Sequence, residues 1–305
     1  MKKISVVVPC YNEEETIESF YNAICAFWNQ MGDYEPEYIF IDDGSKDKTC
    51  ELAMQLAKRD EHVRYTSFSR NFGKEAAVFC GLKQATGDAV VVIDADLQHP
   101  VETIKDMAMK WEEGYDIVEG MKSTRGKESA THGFFAGLFY KLISSMIGFD
   151  MNNSSDFKLM DRRVVDTLNT LTEKDTFFRA LSYWVGFKST YVEYEVHERV
   201  GGESKWSSLS LIKYAVRNLT SFTYAPLHII AYLGIIIIML GIGLGIDAVI
   251  SYAHGNAIGG YPSLVILIVL ATGAIMTSLG IIALYISKMY EELKNRPRYI
   301  VRDHN

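Results

Sequence analysis

The apolar run Val90–Ile93 stops on Asp94, Ala95 and Asp96, and Gln98 follows two residues later. A turn is satisfied by one acid. Two carboxylates one residue apart, where a buried run breaks off, can close on a single hard cation, and Gln98 adds a third oxygen. Mg2+ and Mn2+ favour oxygen ligands and keep positions open for substrate phosphates. D-x-D by itself is common in surface loops, so its weight here comes from its position. Two other apolar runs end in the same manner, on PCYNEE (9–14) and on DDGS (42–45). Ser45 or Asp47 suffices to cap the helix that follows the second cluster. A carboxylate of Asp42 or Asp43 is then left to accept hydrogen bonds from a ligand.

The elements that must position these residues follow from periodicity. Residues 4–8, 38–41, 63–68 and 89–93 read as strands. Residues 14–29, 48–58, 73–85 and 101–113 carry apolar side chains at spacings of three and four and read as helices. Strands of continuous apolar character alternating with helices imply an α/β fold, a mostly parallel sheet covered on both faces. Ligands of such sheets sit beyond the carboxyl ends of the strands. The three polar clusters are therefore expected to converge on one edge.

The last third of the chain differs. Residues 227–246 and 264–286 are free of Asp, Glu, Lys and Arg, and each is long enough to cross a hydrocarbon core of about 30 Å as a helix. The intervening SYAHGNAIGGYPS (251–263) holds no Lys or Arg, whereas Lys213 and Arg217 precede the first run and Lys288, Lys294, Arg296, Arg298 and Arg302 follow the second. This bias predicts two transmembrane helices with both ends cytoplasmic. Residues 132–149 and 208–225, rich in aromatic residues beside Lys or Arg, are expected to lie along the bilayer surface. The expected organisation is a cytoplasmic domain over 1–225 with these interfacial helices, a two-helix membrane region over 226–287 and a cytoplasmic tail over 288–305.

Several function classes are excluded. A net charge of −7 argues against nucleic-acid binding, which needs a basic face. No G-x-G-x-x-G follows the first strand, so a dinucleotide cofactor is not expected. Cys10, Cys25, Cys50 and Cys80 form no C-x-x-C pair and read as free thiols. His99 lies close to the D-x-D, where a local structural role is favoured over a phosphate contact. The short N-terminal apolar run, followed at once by acids, does not read as a cleaved signal peptide.

Together VVVPCYNEE, IDDGSKDKT, SRNFGKEAA and GDAVVVIDADLQHP resemble the family 2 glycosyltransferases of GT-A fold, a Rossmann-like architecture. With SSDFKLMDRRV (154–164), RVGGESKW (199–206) and the two apolar runs, the similarity narrows to the polyprenyl-phosphate glycosyltransferases, the group of bactoprenol glucosyltransferase and dolichol-phosphate mannose synthase. The resemblance implies that Pro9, Tyr11, Glu13, Ile41, Asp42, Asp43 and Ala95 line the nucleotide-sugar pocket. It implies that Asp94, Asp96 and Gln98 hold Mg2+ or Mn2+ on the donor diphosphate. Arg199 and Lys205 would clamp phosphates, and Lys122, Arg125 and Lys127 would receive the acceptor phosphate. Asp156 aligns with the acid taken as general base in related enzymes. Beside an anionic acceptor its charge would repel unless paired, so orienting the sugar or a basic partner is the favoured role and proton abstraction the alternative.

The activity so implied is inverting transfer of a hexose, glucose or N-acetylglucosamine, from a UDP-sugar to undecaprenyl phosphate at the cytoplasmic membrane face. The product would be a lipid-linked sugar for cell-envelope glycosylation. A GDP-mannose-using mannosyltransferase and a non-catalytic membrane scaffold are the alternatives. G-x-x-x-G at 241–245 permits close helix contact, so a homo-oligomer is compatible with the sequence.

Overall fold

The computed structural model describes residues 1–123, 155–173, 177–195 and 261–305, with scattered positions between 230 and 255. The chain divides into one unit of Met1–Ile212 with Pro297–Asn305 and a second of Lys213–Arg296.

The first unit is built on strand–helix alternation. Strand β1 (Lys2–Cys10) leads to α1 (Ile17–Trp28), β2 (Tyr34–Asp42) to α2 (Thr49–Arg59), β3 (Val63–Phe68) to α3 (Lys74–Gln84) and β4 (Ala89–Val92) to α4 (Thr103–Glu112). These are the four strands and four helices expected, with ends moved by a few residues. Then come β5 (Ile117–Lys122), β6 (Lys158–Asp161), α5 (Arg162–Thr170), α6 (Phe178–Trp184) and β7 (Ser189–Tyr194). The last elements are α7 (Tyr261–Leu293), which belongs to the second unit, and β8 (Val301–His304). The sheet order is β7-β5-β6-β4-β1-β2-β3-β8. Among the described strands only β6 and β8 run against the others.

Sequence dictates this arrangement. Ile4 to Cys10 are all buried, as a strand covered on both faces requires. Helix α1 turns Ile17, Phe20, Ile24 and Phe27 inward, one turn apart, against Phe40 and Tyr38 of β2. Each large apolar side chain so buried contributes on the order of 2 kcal/mol. Helix α3 meets β1 most tightly at Gly81. A methyl group on Gly81 would lie 2.2 Å from a Val7 methyl, so only glycine lets the helix rest on β1. That contact brings the first residue of α3, Lys74, to the carboxyl edge of the sheet.

The expected cytoplasmic tail over 288–305 is not a tail. Helix α7 continues to Leu293, and Val301–His304 pair antiparallel with β3 as the sheet's last strand. Tyr299, Ile300 and Val301 have the aromatic and β-branched character of a strand, which the basic residues around them obscured. Within the second unit, α7 encloses the expected second apolar run, 264–286. Among the described residues, one helix, Leu270–Leu293, is long and apolar enough to cross a membrane, and none of it is buried. Of the expected first run, described positions between 234 and 243 are helical. Positions 230, 232 and 246 of that run are helical as well, 254 and 255 of the following loop form a turn, and 261–263 of it open α7; the other residues of the run and loop and the two expected interfacial helices lie outside the described residues.

Candidate active site

Strands β1, β2 and β4 end side by side, and their polar termini form one edge. Asp42 and Asp43 close β2. Asp42 is 1% exposed; its Oδ1 accepts the Ser45 amide at 2.9 Å and its Oδ2 accepts the Ser67 hydroxyl at 2.6 Å. Asp43 accepts the amides of Phe72 at 2.7 Å and Gly73 at 2.9 Å. Burial pushes the Asp43 carboxyl up to about 6, against the pull of those two amides. Gly44 then turns the chain with φ +66°, and a methyl group there would lie 2.3 Å from the Arg70 carbonyl carbon. The β2–α2 turn and the β3–α3 loop thus meet backbone to backbone.

The loop after β1 is tied to the same turn. The Asn12 amide donates to Ser45 Oγ at 3.0 Å, and the Glu13 amide donates to Thr49 Oγ1 at 2.8 Å. Of the two expected caps, Asp47 serves α2 by accepting the Thr49 amide at 3.0 Å, while Ser45 joins the loops instead. Pro9 and Ile41 are buried beneath this edge, and Tyr11 is exposed above it.

The end of β4 is organised differently. Asp96 accepts the Gln98 amide at 3.1 Å through a tight turn in which Leu97 takes φ +58°. A leucine in the left-handed region is strained by roughly 1–2 kcal/mol, so the turn holds its shape against a local cost. Ala95, 2% exposed, is packed into the core. Asp94 faces the Lys74 ammonium, whose Nζ lies 2.7 Å from Oδ1. The same ammonium donates to Asp156 Oδ2 at 2.8 Å. Arg179 completes the group, donating to Asp156 from Nε at 2.7 Å and from Nη2 at 3.0 Å. Burial alone would raise the Asp156 carboxyl; Lys74 and Arg179 outweigh it and hold the group well below the usual carboxylate range. Burial likewise opposes the Lys74 charge, and Asp156 and Asp94 outweigh it. Next to Lys74, burial and the charge of Asp156 push Glu75 up to about 7.

A buried polar group stands behind Asp156. Glu119 on β5 accepts the Ser155 amide and the Tyr183 hydroxyl. Lys158, wholly buried, lies 3.4 Å from Glu119 and donates to Ser182 Oγ at 2.9 Å. Burial pulls the Lys158 ammonium below its ordinary range, with Glu119 opposing. Removing either partner would strand a buried charge, a loss of about 3–5 kcal/mol. The loop carrying Asp156 is thereby fastened to the helix that carries Arg179. His99 bonds Tyr194 OH at 2.7 Å beside Phe157 and lies 3.9 Å from Asp94; burial lowers its basicity, with Asp94 and Asp96 opposing.

Of the residues expected from the sequence, Pro9, Tyr11, Glu13, Ile41, Asp42, Asp43, Asp94, Ala95, Asp96, Gln98 and Asp156 lie at or beneath this edge. Lys122 is exposed at the end of β5. Arg125, Lys127, Arg199 and Lys205 lie outside the described residues. Sequence reasoning missed Lys74, Arg179, Glu119 and Lys158. Lys74 stood in plain view in SRNFGKEAA, but a lysine opening a helix carries no signal of its own. The other three are brought to the site only by the pairing of β5 and β6 and by the packing of α6.

The donor set at the end of β4 suits a hard cation. It is all oxygen, and the Lys74 ammonium 2.7 Å from Asp94 Oδ1 shows this carboxylate already meeting a positive charge. Among the described residues no group of three or more His, Cys, Asp or Glu is arranged to hold a metal alone. Asp94 and Asp96 would thus need further oxygens from a bound phosphate ligand, the usual manner of Mg2+.

The sequence model of the family described as "Glycosyl transferase family 2" matches residues 5–167, more than half of the chain. A prophage bactoprenol glucosyl transferase homolog of Escherichia coli K12 is 40% identical over 305 residues, covering 98% of this chain and 98% of its own. The bactoprenol glucosyl transferase of Shigella phage SfII is 40% identical over 302 residues, covering 98% of this chain and 97% of its own. Among solved structures, glucosyl-3-phosphoglycerate synthase from Mycobacterium tuberculosis, in complex with Mn2+, uridine diphosphate and glucosyl-3-phosphoglycerate, aligns with TM-score 0.48 and 23% identity. That alignment covers 71% of this chain and 76% of the other.

Proposed function

The chain belongs to glycosyl transferase family 2, and from that premise we propose that it moves a hexose from a UDP-sugar to a polyprenyl phosphate at a membrane surface. The reading rests foremost on the acidic edge where β1, β2 and β4 end, which offers carboxylates for a nucleotide and for a cation on its diphosphate. The α/β GT-A fold with its mostly parallel sheet supports it, as does the exposed apolar helix Leu270–Leu293. Relatives named for bactoprenol glucosyl transfer, similar over nearly their whole length, support the lipid acceptor and glucose.

The chain's own residues divide the work. Asp42 and Asp43, with Pro9, Tyr11, Glu13, Ile41 and Ala95 around them, would receive the nucleoside. Asp94 and Asp96, with Gln98 beside them, would hold Mg2+ or Mn2+, which supplies positive charge to the departing diphosphate. Lys74 stands where it can share that charge, and Arg199 and Lys205 would add to it. A phosphate acceptor, with a second pKa of about 6, is largely ionised at neutral pH and requires no base. Asp156, ionised and held by two cations, is built to keep Lys74 and Arg179 in place. Attack along the line of the departing diphosphate inverts the anomeric carbon. Lys122, Arg125 and Lys127 would meet the acceptor phosphate. Two membrane spans with cytoplasmic termini would keep the site on the face where nucleotide sugars are available.

Membranes containing the chain, given radiolabelled UDP- and GDP-sugars, undecaprenyl phosphate and Mg2+ or Mn2+, are expected to accumulate label in the lipid fraction from UDP-glucose or UDP-N-acetylglucosamine. Label from GDP-mannose instead would move the donor assignment. No label from any donor would remove the activity.

A further inference from the structure

The segment that follows α7 reaches both aspartates of the β2 terminus from behind. Asp42, Ser67 and Asp303 are register partners across β2, β3 and β8. Beside Asp303, Arg302 extends its guanidinium to Ser67 Oγ, with Nη2 at 3.0 Å. The same hydroxyl lies 2.6 Å from Asp42 Oδ2. A guanidinium has no lone pair to offer, so the one proton of Ser67 is left to point at Asp42. Without Arg302 that hydroxyl would be free to turn toward another acceptor. A second line runs through rings. Tyr299 stacks on Phe68 with centroids 4.8 Å apart and planes 10° from parallel, and Phe68 meets Phe72 edge-on at 5.9 Å. The Phe72 amide donates to Asp43.

We infer that residues 297–305 form a strap that orients the two aspartates of the nucleotide pocket, with Arg302 as a positioning residue for Asp42. This rests on the reading of Asp42 as part of the donor pocket. Strand pairing explains why the segment is there: it covers the open edge of β3. It does not explain why its arginine, whose Nη2 also meets Cys50 Sγ at 3.4 Å, reaches the hydroxyl that bonds Asp42. Tyr65 provides the contrast, since its hydroxyl bonds Asp303 on the same strand at 2.9 Å without touching either aspartate.

The test uses the full-length chain in detergent, with UDP in the presence of Mn2+ as the probe, binding followed by calorimetry and transfer kinetics by lipid extraction. Arg302→Ala is expected to weaken UDP binding and raise the donor KM about five- to tenfold, the loss of one hydrogen bond that orders a charged group. Turnover at saturating donor and the acceptor KM should hold. Arg302→Lys, which retains a donor, should recover part of the affinity. Tyr65→Phe should lower the melting temperature and leave the donor KM alone. Wild-type binding of UDP together with an Arg302→Ala affinity within twofold of it would overturn the strap. Equal donor-KM losses in Tyr65→Phe and Arg302→Ala would overturn it as well, because general loosening of the edge would then account for both. A wild-type chain that binds neither UDP nor GDP would overturn the donor pocket itself, and the strap with it.

Discussion

The ends of β2 and β4 hold acids at neighbouring positions on one sheet edge, yet they hold them by opposite means. At β2 the carboxylates are fixed by neutral donors: the amides of Ser45, Phe72 and Gly73 and the Ser67 hydroxyl. These partners are backbone or short side chains with little freedom to leave. At β4 the partner of Asp94 is the end of a lysine, 41% exposed, that also serves Asp156. A backbone amide cannot be exchanged for another ligand, whereas an ammonium on four rotatable bonds can. The first arrangement suits recognition of an unchanging ligand, and the second suits a site whose charge is rearranged during a reaction.

This contrast can be broken by substitution. The largest effect is expected at Asp94: Asp94→Asn should lower turnover by on the order of 10³, while Asp156→Asn should cost about ten- to a hundredfold. Initial rates at saturating donor give the ranking, and a reversed order would restore Asp156 as a general base. Lys74→Met should come next, with turnover down roughly a hundredfold and stability down by only about 1 kcal/mol, because the lysine side chain is 41% exposed and water partly screens its ion pairs with Asp94 and Asp156. A chain that melts far lower but turns over normally would make the lysine a structural bolt, no different in kind from the amides at β2. Ser67→Ala should have the smallest effect of these, about a tenfold loss in donor affinity, the share of one hydrogen bond to a charged group and no less than the loss at Arg302, which acts through this hydroxyl, with turnover kept. Loss of turnover there would erase the division between the two strand ends.

The first four strands and helices were legible in the sequence because each apolar run had the right length and each helix the right spacing. The acidic edge was legible too, since a parallel sheet sends the residues after its strands to one side. What stayed hidden was set by contacts distant in sequence. Strand β6 is four residues long and enters antiparallel between β4 and β5; nothing local to KLMD announces a strand. Because β6 was hidden, so was the meeting of Lys158 with Glu119, and with it the footing of Asp156. Strand β8 was concealed by its own charges, which read as a flank of the apolar helix. Arg179 reaches Asp156 from a seven-residue helix that carries too few turns to show a period.

The glycine at 44 has a kinetic consequence. With no side chain between them, the DDG turn and the segment around Arg70 are in van der Waals register along the main chain. They should therefore open as one cooperative unit and not as two independent flaps. Amide hydrogens of Ser45 and Phe72, one in each segment, would exchange with solvent deuterium at matched rates. Donor binding would slow both together, and Gly44→Ala would quicken both together.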